Sequence, residues 1–300
     1  MAIKVYLGKQ AKEKQAVEDS ALIDAGATDF SVEESIQELK SERFQDIQAQ
    51  GDSTISKIEV QGSIPIEFSK EILEELMPSI SYAKTELAYK MGTEQPSFYT
   101  IVLTDTATNE RWDYLDCVIS NLKVNIALGG YINGSIDVIG KTYEIKSGAV
   151  KGAKPAGDIL RALHAAIELD SKDISADVEG VEITVDNGME AKGSLNSLHN
   201  TKFRRATPQN TAVSIQKNAY DAAQFKAMKE KMIAGTATKA TIKLGTAKEK
   251  DTIIIEIPKM FINSNKRGDY KGAGTHNVDL TCSVNNAENS HLKITFKGGK

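Results

Sequence analysis

Apolar and polar residues alternate along Ile58–Phe68 (IEVQGSIPIEF), placing Ile58, Val60, Gly62, Ile64, Ile66 and Phe68 on one face. A period of two is that of a half-buried strand. The period then changes. Ser69 stands as an N-cap before KEILEELM, an amphipathic stretch stopped by Pro78. TIVL from Thr100, the polar turn TDTATNE and the run RWDYLDCVISNLKVNIAL predict a hairpin. Glycines at 129, 130 and 134 then lead to a last strand, SIDVIGKTYEI.

The second half of the chain repeats this order. TAVSIQ from Thr211 reads as a strand, and AYDAAQFKAMKEKMIAG as an amphipathic helix ended by Gly235. TIKL from Thr241 answers TIVL, and GTAKEK answers TDTATNE. DTIIIEIPKMFIN, the Gly-containing stretch KRGDYKGAG and the strand HNVDLTCSVN complete the match. Upstream, FSVEES from Phe30 resembles ITVDNG from Ile183, each followed by a long polar connection. The pattern predicts a duplicated β-rich domain, residues 31–145 and 184–300.

Residues 1–30 read as an arm whose one apolar piece, IKVYL, suits a sheet edge. Residues 146–183 read as a linker with a helix. Pro155 opens it, and Ile159, Leu160, Leu163 and Ile167 form one stripe. DTIIIEI is flat and strongly β-forming, which suits a central core strand or an edge that needs a partner.

Composition narrows the class. The chain has 300 residues, 40% hydrophobic and 26% charged, which suits a folded protein with a sizeable core. No apolar run approaches the ~20 residues that span a bilayer. The N-terminus lacks the apolar core of a secretory signal, so we expect synthesis in the cytoplasm and no membrane contact. Cys117 and Cys282 lie far apart, which points to two free thiols.

The net charge of −4 hides a division. Residues 31–145 carry 9 Lys+Arg against 19 Asp+Glu, a net of −10. Residues 184–300 carry 19 against 10, a net of +9. Similar folds of opposite charge suit neighbours that alternate, because complementary potentials favour unlike pairs.

Candidate chemistry is sparse. His164, His199, His276 and His291 lack metal-ligand spacing, and GxSxG, P-loop and HExxH motifs are absent. KGAKPAGD lacks the buried strand and Gly-Lys-Ser/Thr ending of a phosphate loop, and the RGD at Arg267–Asp269 is a chance tripeptide. We expect no catalytic site, no metal and no cofactor.

The order of these elements resembles the tail tube (major tail) proteins of long, non-contractile-tailed bacteriophages. In the second copy the likeness runs through VEITVDNGMEAKGSLNS, Arg204 and Arg205, TAVSIQ, the helix ending MIAGT, IIIEIPKMFINS, VDLTCSV and LKITF. The first copy matches more loosely through GSIPIEFSKEILEEL and YLDCVISNLKVNIALGGYINGSIDVIGK. The resemblance implies a mainly β fold: two tandem β-sandwich or partial-barrel domains, each with one flanking helix.

It also implies a structural protein of the virion tail that assembles with itself. A duplicated chain would form trimeric, pseudo-hexameric rings, stacked into a tube that conducts genome DNA. Tape-measure, tail-tip and tail-terminator proteins are the implied partners, and DNA would pass without specific binding. The basic excess belongs at subunit contacts, because lumen phosphate contacts would retain DNA. The expected contacts lie in the long connections 36–51 and 189–205: Arg43, Met189, Glu190, and above all Arg204 and Arg205, expected to bridge to the acidic copy. Lys266 and Arg267, in a Gly-containing loop, complete the set. Alternatives are an inner-tube protein of a contractile injection machine, or a virion connector or DNA-binding protein.

Overall fold

The computed structural model describes residues 3–40, 53–85, 88–92, 96–248, 252–270, 273–287 and 289–297. In the first half these form β1 (Ile3–Lys9), β2 (Ile23–Asp24), β3 (Glu33–Lys40), β4 (Ser53–Glu67) and α1 (Lys70–Leu76). There follow β5 (Tyr82–Thr85), β6 (Ala88–Met91), β7 (Tyr99–Asp105), β8 (Glu110–Ala127), β9 (Asn133–Gly140) and β10 (Thr142–Ser147). The second half begins with β11 (Arg161–Leu169), β12 (Lys172–Asp173), β13 (Val178–Asp186), β14 (Met189–Lys192), β15 (Lys202–Arg205) and β16 (Asn210–Lys217). It ends with α2 (Ala222–Ala234), β17 (Thr238–Gly245), β18 (Ile253–Tyr270), β19 (Ala273–Cys282) and β20 (Lys293–Phe296). The chain is mainly β, with open sheets and two α-helices among the described residues.

The two halves repeat one pairing scheme. β4, β9 and the C-terminal part of β8 pair in that order, as do β16, β19 and the C-terminal part of β18. The N-terminal part of β8 lies between β7 and β10, and that of β18 between β17 and β20. β1 extends the first group through β7, and β11 extends the second through β17. Even the irregularities recur. β8 slips register between Ile119 and Asn121, and β18 between Ile262 and Ser264. Such bulges bend a long strand and increase its twist, letting one strand serve two sheets.

These pairings place β1 in the sheet and make IIIEI of β18 a central strand, with neighbours on both sides. SIDVIGKTYEI is two strands: β9 pairs with β4 and β8, while β10 returns along the start of β8.

The linker helix is a correction, because residues 161–169 form strand β11. The stripe of Ile159, Leu160, Leu163 and Ile167 fits a helix on paper, but Leu163 is 81% exposed. Ile167 and Leu169, two apart, are buried instead. Extended backbone hydrogen bonds hold the entry, with Leu160 N–H to Phe68 C=O at 2.9 Å and Ile132 N–H to Leu160 C=O at 2.9 Å. Leucine and alanine are good helix formers, but propensity is worth only tenths of a kcal/mol per residue, ~0.7 at most for ordinary residues, and tertiary pairing along β17 overrides it.

The flanking helices follow their end signals. Ser69 accepts from the Ile72 N–H at 3.2 Å to start α1. Asp221 accepts from the Ala223 and Gln224 N–H groups to start α2, and Gly235 ends it at φ +59°. Their surroundings differ: α1 buries Ile72, Leu73 and Leu76, whereas α2 buries none of its side chains. Buried side chains from both halves form one core. At its centre Leu73, Met77 and Ile80 of the first half face Ile253, Ile255 and Ile294 of the second across a cavity of about 20 Å³.

Candidate assembly interfaces

β13 pairs with β4's equivalent, β16, on one side and with β8 on the other. The order is therefore β3–β4–β9–β8–β13–β16–β19–β18, one continuous sheet across both halves. At the seam Thr184 lies opposite Lys123 and Ile183 opposite Val124. One face of the seam is dry, with Leu122, Val124, Ile183 and Val185 all buried. On the other face Lys123 pairs with Glu182 at 2.8 Å.

That second face is polar along the whole sheet. It carries Ser63, Glu67, Ser135, Asp137, Asn121, Asn125, Glu182, Thr184, Ser214 and Asp279, all partly exposed. Several engage one another: Asn121 donates to Asp137 at 3.1 Å, and Ser214 to Asp279 at 2.7 Å. The sheet ends in two edges without a strand partner among the described residues. One is β3, bearing Glu33 and Glu34; the other is the C-terminal part of β18, bearing Lys266 and Arg267.

The connection at 189–205 is a hairpin, β14 paired with β15, folded against the first half. Met189 is buried at its base. Arg204 donates to Glu190 within the hairpin at 2.6 Å, and Lys192 pairs with the same carboxylate at 3.1 Å. These two cations hold the Glu190 carboxyl below its ordinary range, Arg204 more strongly. Arg205 crosses to the first half, donating to the Ser81 hydroxyl at 2.8 Å. Within the chain, then, Arg204 pairs with its own hairpin and Arg205 reaches a hydroxyl of the acidic copy, not a carboxylate. Arg43 lies outside the described residues, as does most of the 36–51 connection beyond β3.

Residues without an evident pattern in the sequence make buried polar contacts between the halves. Asn187, fully buried, donates to the Ser79 and Ile119 carbonyls at 2.8 and 2.7 Å. Gln209 donates to the Ile80 carbonyl at 2.8 Å and to the Asn187 side chain at 3.0 Å. Their only sequence signal is Asp-Asn-Gly at the end of β13, a turn former. Gly188 takes φ +60° there, and a Cβ on it would meet the Thr207 carbonyl at 2.2 Å. Beside this knot Phe203 of β15 packs on Phe98, with the Lys141 ammonium over both rings and paired with Glu13. Nothing in the spacing of these four residues connects them.

Lys266 and Arg267 lie on strand β18 rather than in a loop, and both are exposed. Arg267 stacks on Tyr220 at 4.8 Å, and Tyr220 packs on Phe225 of α2. Beneath them burial holds the His276 imidazole below its ordinary range, with Lys217 adding to the effect. Burial likewise pushes the Cys282 thiol up to about 12, and the Cys117 thiol higher still. Burial of this kind marks both thiols as structural cysteines. Among the described residues no cluster of three His, Cys, Asp or Glu has metal-binding geometry, and no helix is long and apolar enough to cross a membrane.

A search of curated proteins finds no match to the chain. The family model described as "Phage tail tube protein" matches residues 2–286. With a shared sheet running across both halves and that match over nearly its whole length, the chain belongs to the phage tail tube protein family.

Proposed function

We propose that three copies of this chain close into a pseudo-hexameric ring, and that stacked rings form the tube through which genome DNA leaves a long, non-contractile tail. Membership of the family already implies a structural, non-enzymatic component of the virion tail that assembles with itself. The seam between β8 and β13 carries the finer reading. It joins two equivalent sheets edge to edge and leaves an acidic and a basic edge at opposite ends. Repeating that junction between copies adds two units at a time, so three copies complete six.

The polar face of the sheet suits a lumen. Its acidic and neutral side chains outnumber its cations, Lys123, which Glu182 holds, and Lys266 at the β18 edge, so the face offers few sites that would retain phosphate. The tape-measure, tail-tip and terminator proteins of such tails are the partners of this assembly, which is built from chains made in the host cytoplasm. The test is negative-stain electron microscopy of the concentrated protein together with light-scattering mass. Rings or tubes with a central hole, and masses in multiples of three chains, are expected. A closed dimer, or salt-sensitive binding of duplex DNA by the second half, would favour a connector role instead.

A further inference from the structure

The β8–β13 seam is one of the strand junctions between the two halves, β20 with β6 being another, and the halves repeat each other's pairings closely enough to transfer the seam to a second copy. Asp137 of β9 and Asp279 of β19 hold the same place: each lies opposite a serine, Ser63 or Ser214, and just after a register slip in the long strand, at Asn121 or Ser264. Counting from them, Lys123 corresponds to Lys266 and Val124 to Arg267. Gln61 corresponds to Ala212, so their partners Glu33 and Thr184 correspond as well.

We propose that the open edge of β18 pairs antiparallel with the open edge of β3 in a second copy, in the register of the β8–β13 seam, with Glu33 opposite Lys266. This rests on the ring reading above and names its contacts. Val32 then lies opposite Arg267, Glu34 opposite Asn265 and Ser35 opposite Ser264. Each position continues the observed pairing of Thr184 with Lys123 and Asp186 with Asn121.

The chemistry of the two junctions differs in an informative way. The internal seam packs Leu122 and Val124 against Ile183 and Val185. The corresponding positions between copies are Asn265 and Arg267 against Val32 and Glu34. Lys266 faces Glu33 on the polar side, and Arg267 lies diagonal to Glu34 on the core side, within reach of a long side chain. The apolar seam closes in the folding chain, whereas a charged seam leaves the single copy hydrated and directs unlike edges together.

The same operation covers a surface that is open in one copy. Counted from the two N-caps, Lys229 and Met232 of α2 correspond to Met77 and Ile80. Glu110, Trp112 and Ile145 correspond to Ile253, Ile255 and Ile294. Ile294 is 6% exposed under the first half's cover, while Ile145 is 64% exposed. In the joined pair α2 of one copy lies over Ile145 of the next.

The test is disulfide trapping in the full chain, whose own cysteines are buried. Ser35→Cys with Ser264→Cys should give covalent oligomers under mild oxidation. Ser35→Cys with Lys266→Cys, shifted by two residues or ~7 Å, should cross-link at least ten times more slowly. Lys266→Glu with Arg267→Glu should abolish assembly, and adding Glu33→Lys with Glu34→Lys should restore it within about threefold. If rings form but the shifted pair cross-links as fast, or the fourfold variant stays unassembled, the register is wrong and the tube reading stands. If the native chain forms no ring, tube or higher mass at any concentration, both fall together.

Discussion

α1 and α2 follow equivalent strands, begin at comparable caps and lie beside equivalent sheets, yet α1 buries three apolar side chains and α2 none. The cause is what lies above them. α1, with the turn Met77–Ile80 after it, is covered by β18 and β20 of the second half. α2 has its own sheet below and solvent above, so Ile233 is 75% exposed. Burial in a repeated fold is thus decided by the neighbouring unit as well as by the unit itself.

The sharpest way to break this comparison is to cut both helices back on matched positions. Leu76→Ala, at a fully buried site, should cost about 3 kcal/mol, whereas Met228→Ala should cost under about 1 kcal/mol in the single chain. Urea melts of the two variants read the difference directly, and equal costs would mean α2 is as well covered as α1. Next in size is Asn187→Ala, which leaves the Ser79 and Ile119 carbonyls and Gln209 short of a partner. A loss of about 2 kcal/mol in the same melts is expected, because buried polar groups are left unsatisfied.

The caps sharpen the comparison, because capping acts locally. Asp221→Ala should cost about 1 kcal/mol even though α2 is exposed. Ser69→Ala should cost somewhat more, since its hydroxyl also donates to the Ala156 carbonyl. A thermal-melt difference in the opposite order would contradict this account.

The smallest expected effect is in pH. Burial lowers the His276 and His291 pKa values from the ordinary 6.5, so the unfolded chain binds protons more readily than the folded one. Their contribution is therefore present above about pH 6.5 and is lost as pH falls through the folded values. The melting temperature should decline over that acidic window, and His291→Gln should flatten part of the decline. His276 touches the Phe225 ring of α2, so its protonation should loosen that helix first.

Much of this fold was legible before any coordinates. Alternation marked β4, and apolar β-forming runs between polar turns marked β8, β16 and β18; Ser69 and Gly235 marked helix ends to within a residue or so. Lys266 and Arg267 were expected as subunit contacts in a Gly-containing loop, and they lie on strand β18 instead. The strand at 161–169 was misread because a short alanine-rich run satisfies both periods, and only the vacant flank of β17 chooses between them. The knot of Asn187 and Gln209 was invisible for a related reason: its partners are main-chain carbonyls of Ser79, Ile80 and Ile119, and a carbonyl has no signature in a sequence.

By itself the sequence determined the β-rich class, the repeated order of strands and helices, the caps and the opposed charges of the two halves. These are local properties, set by side-chain period, backbone preference and composition. Tertiary structure alone decided that β13 joins β8, that β1 and β11 complete the sheets, and that α1 is covered while α2 is not. Each depends on which distant segments meet, and hydrogen bonding between strands is satisfied by any edge in register. Packing of Val124 against Ile183 selects one of those edges, and it does so only once the chain has folded.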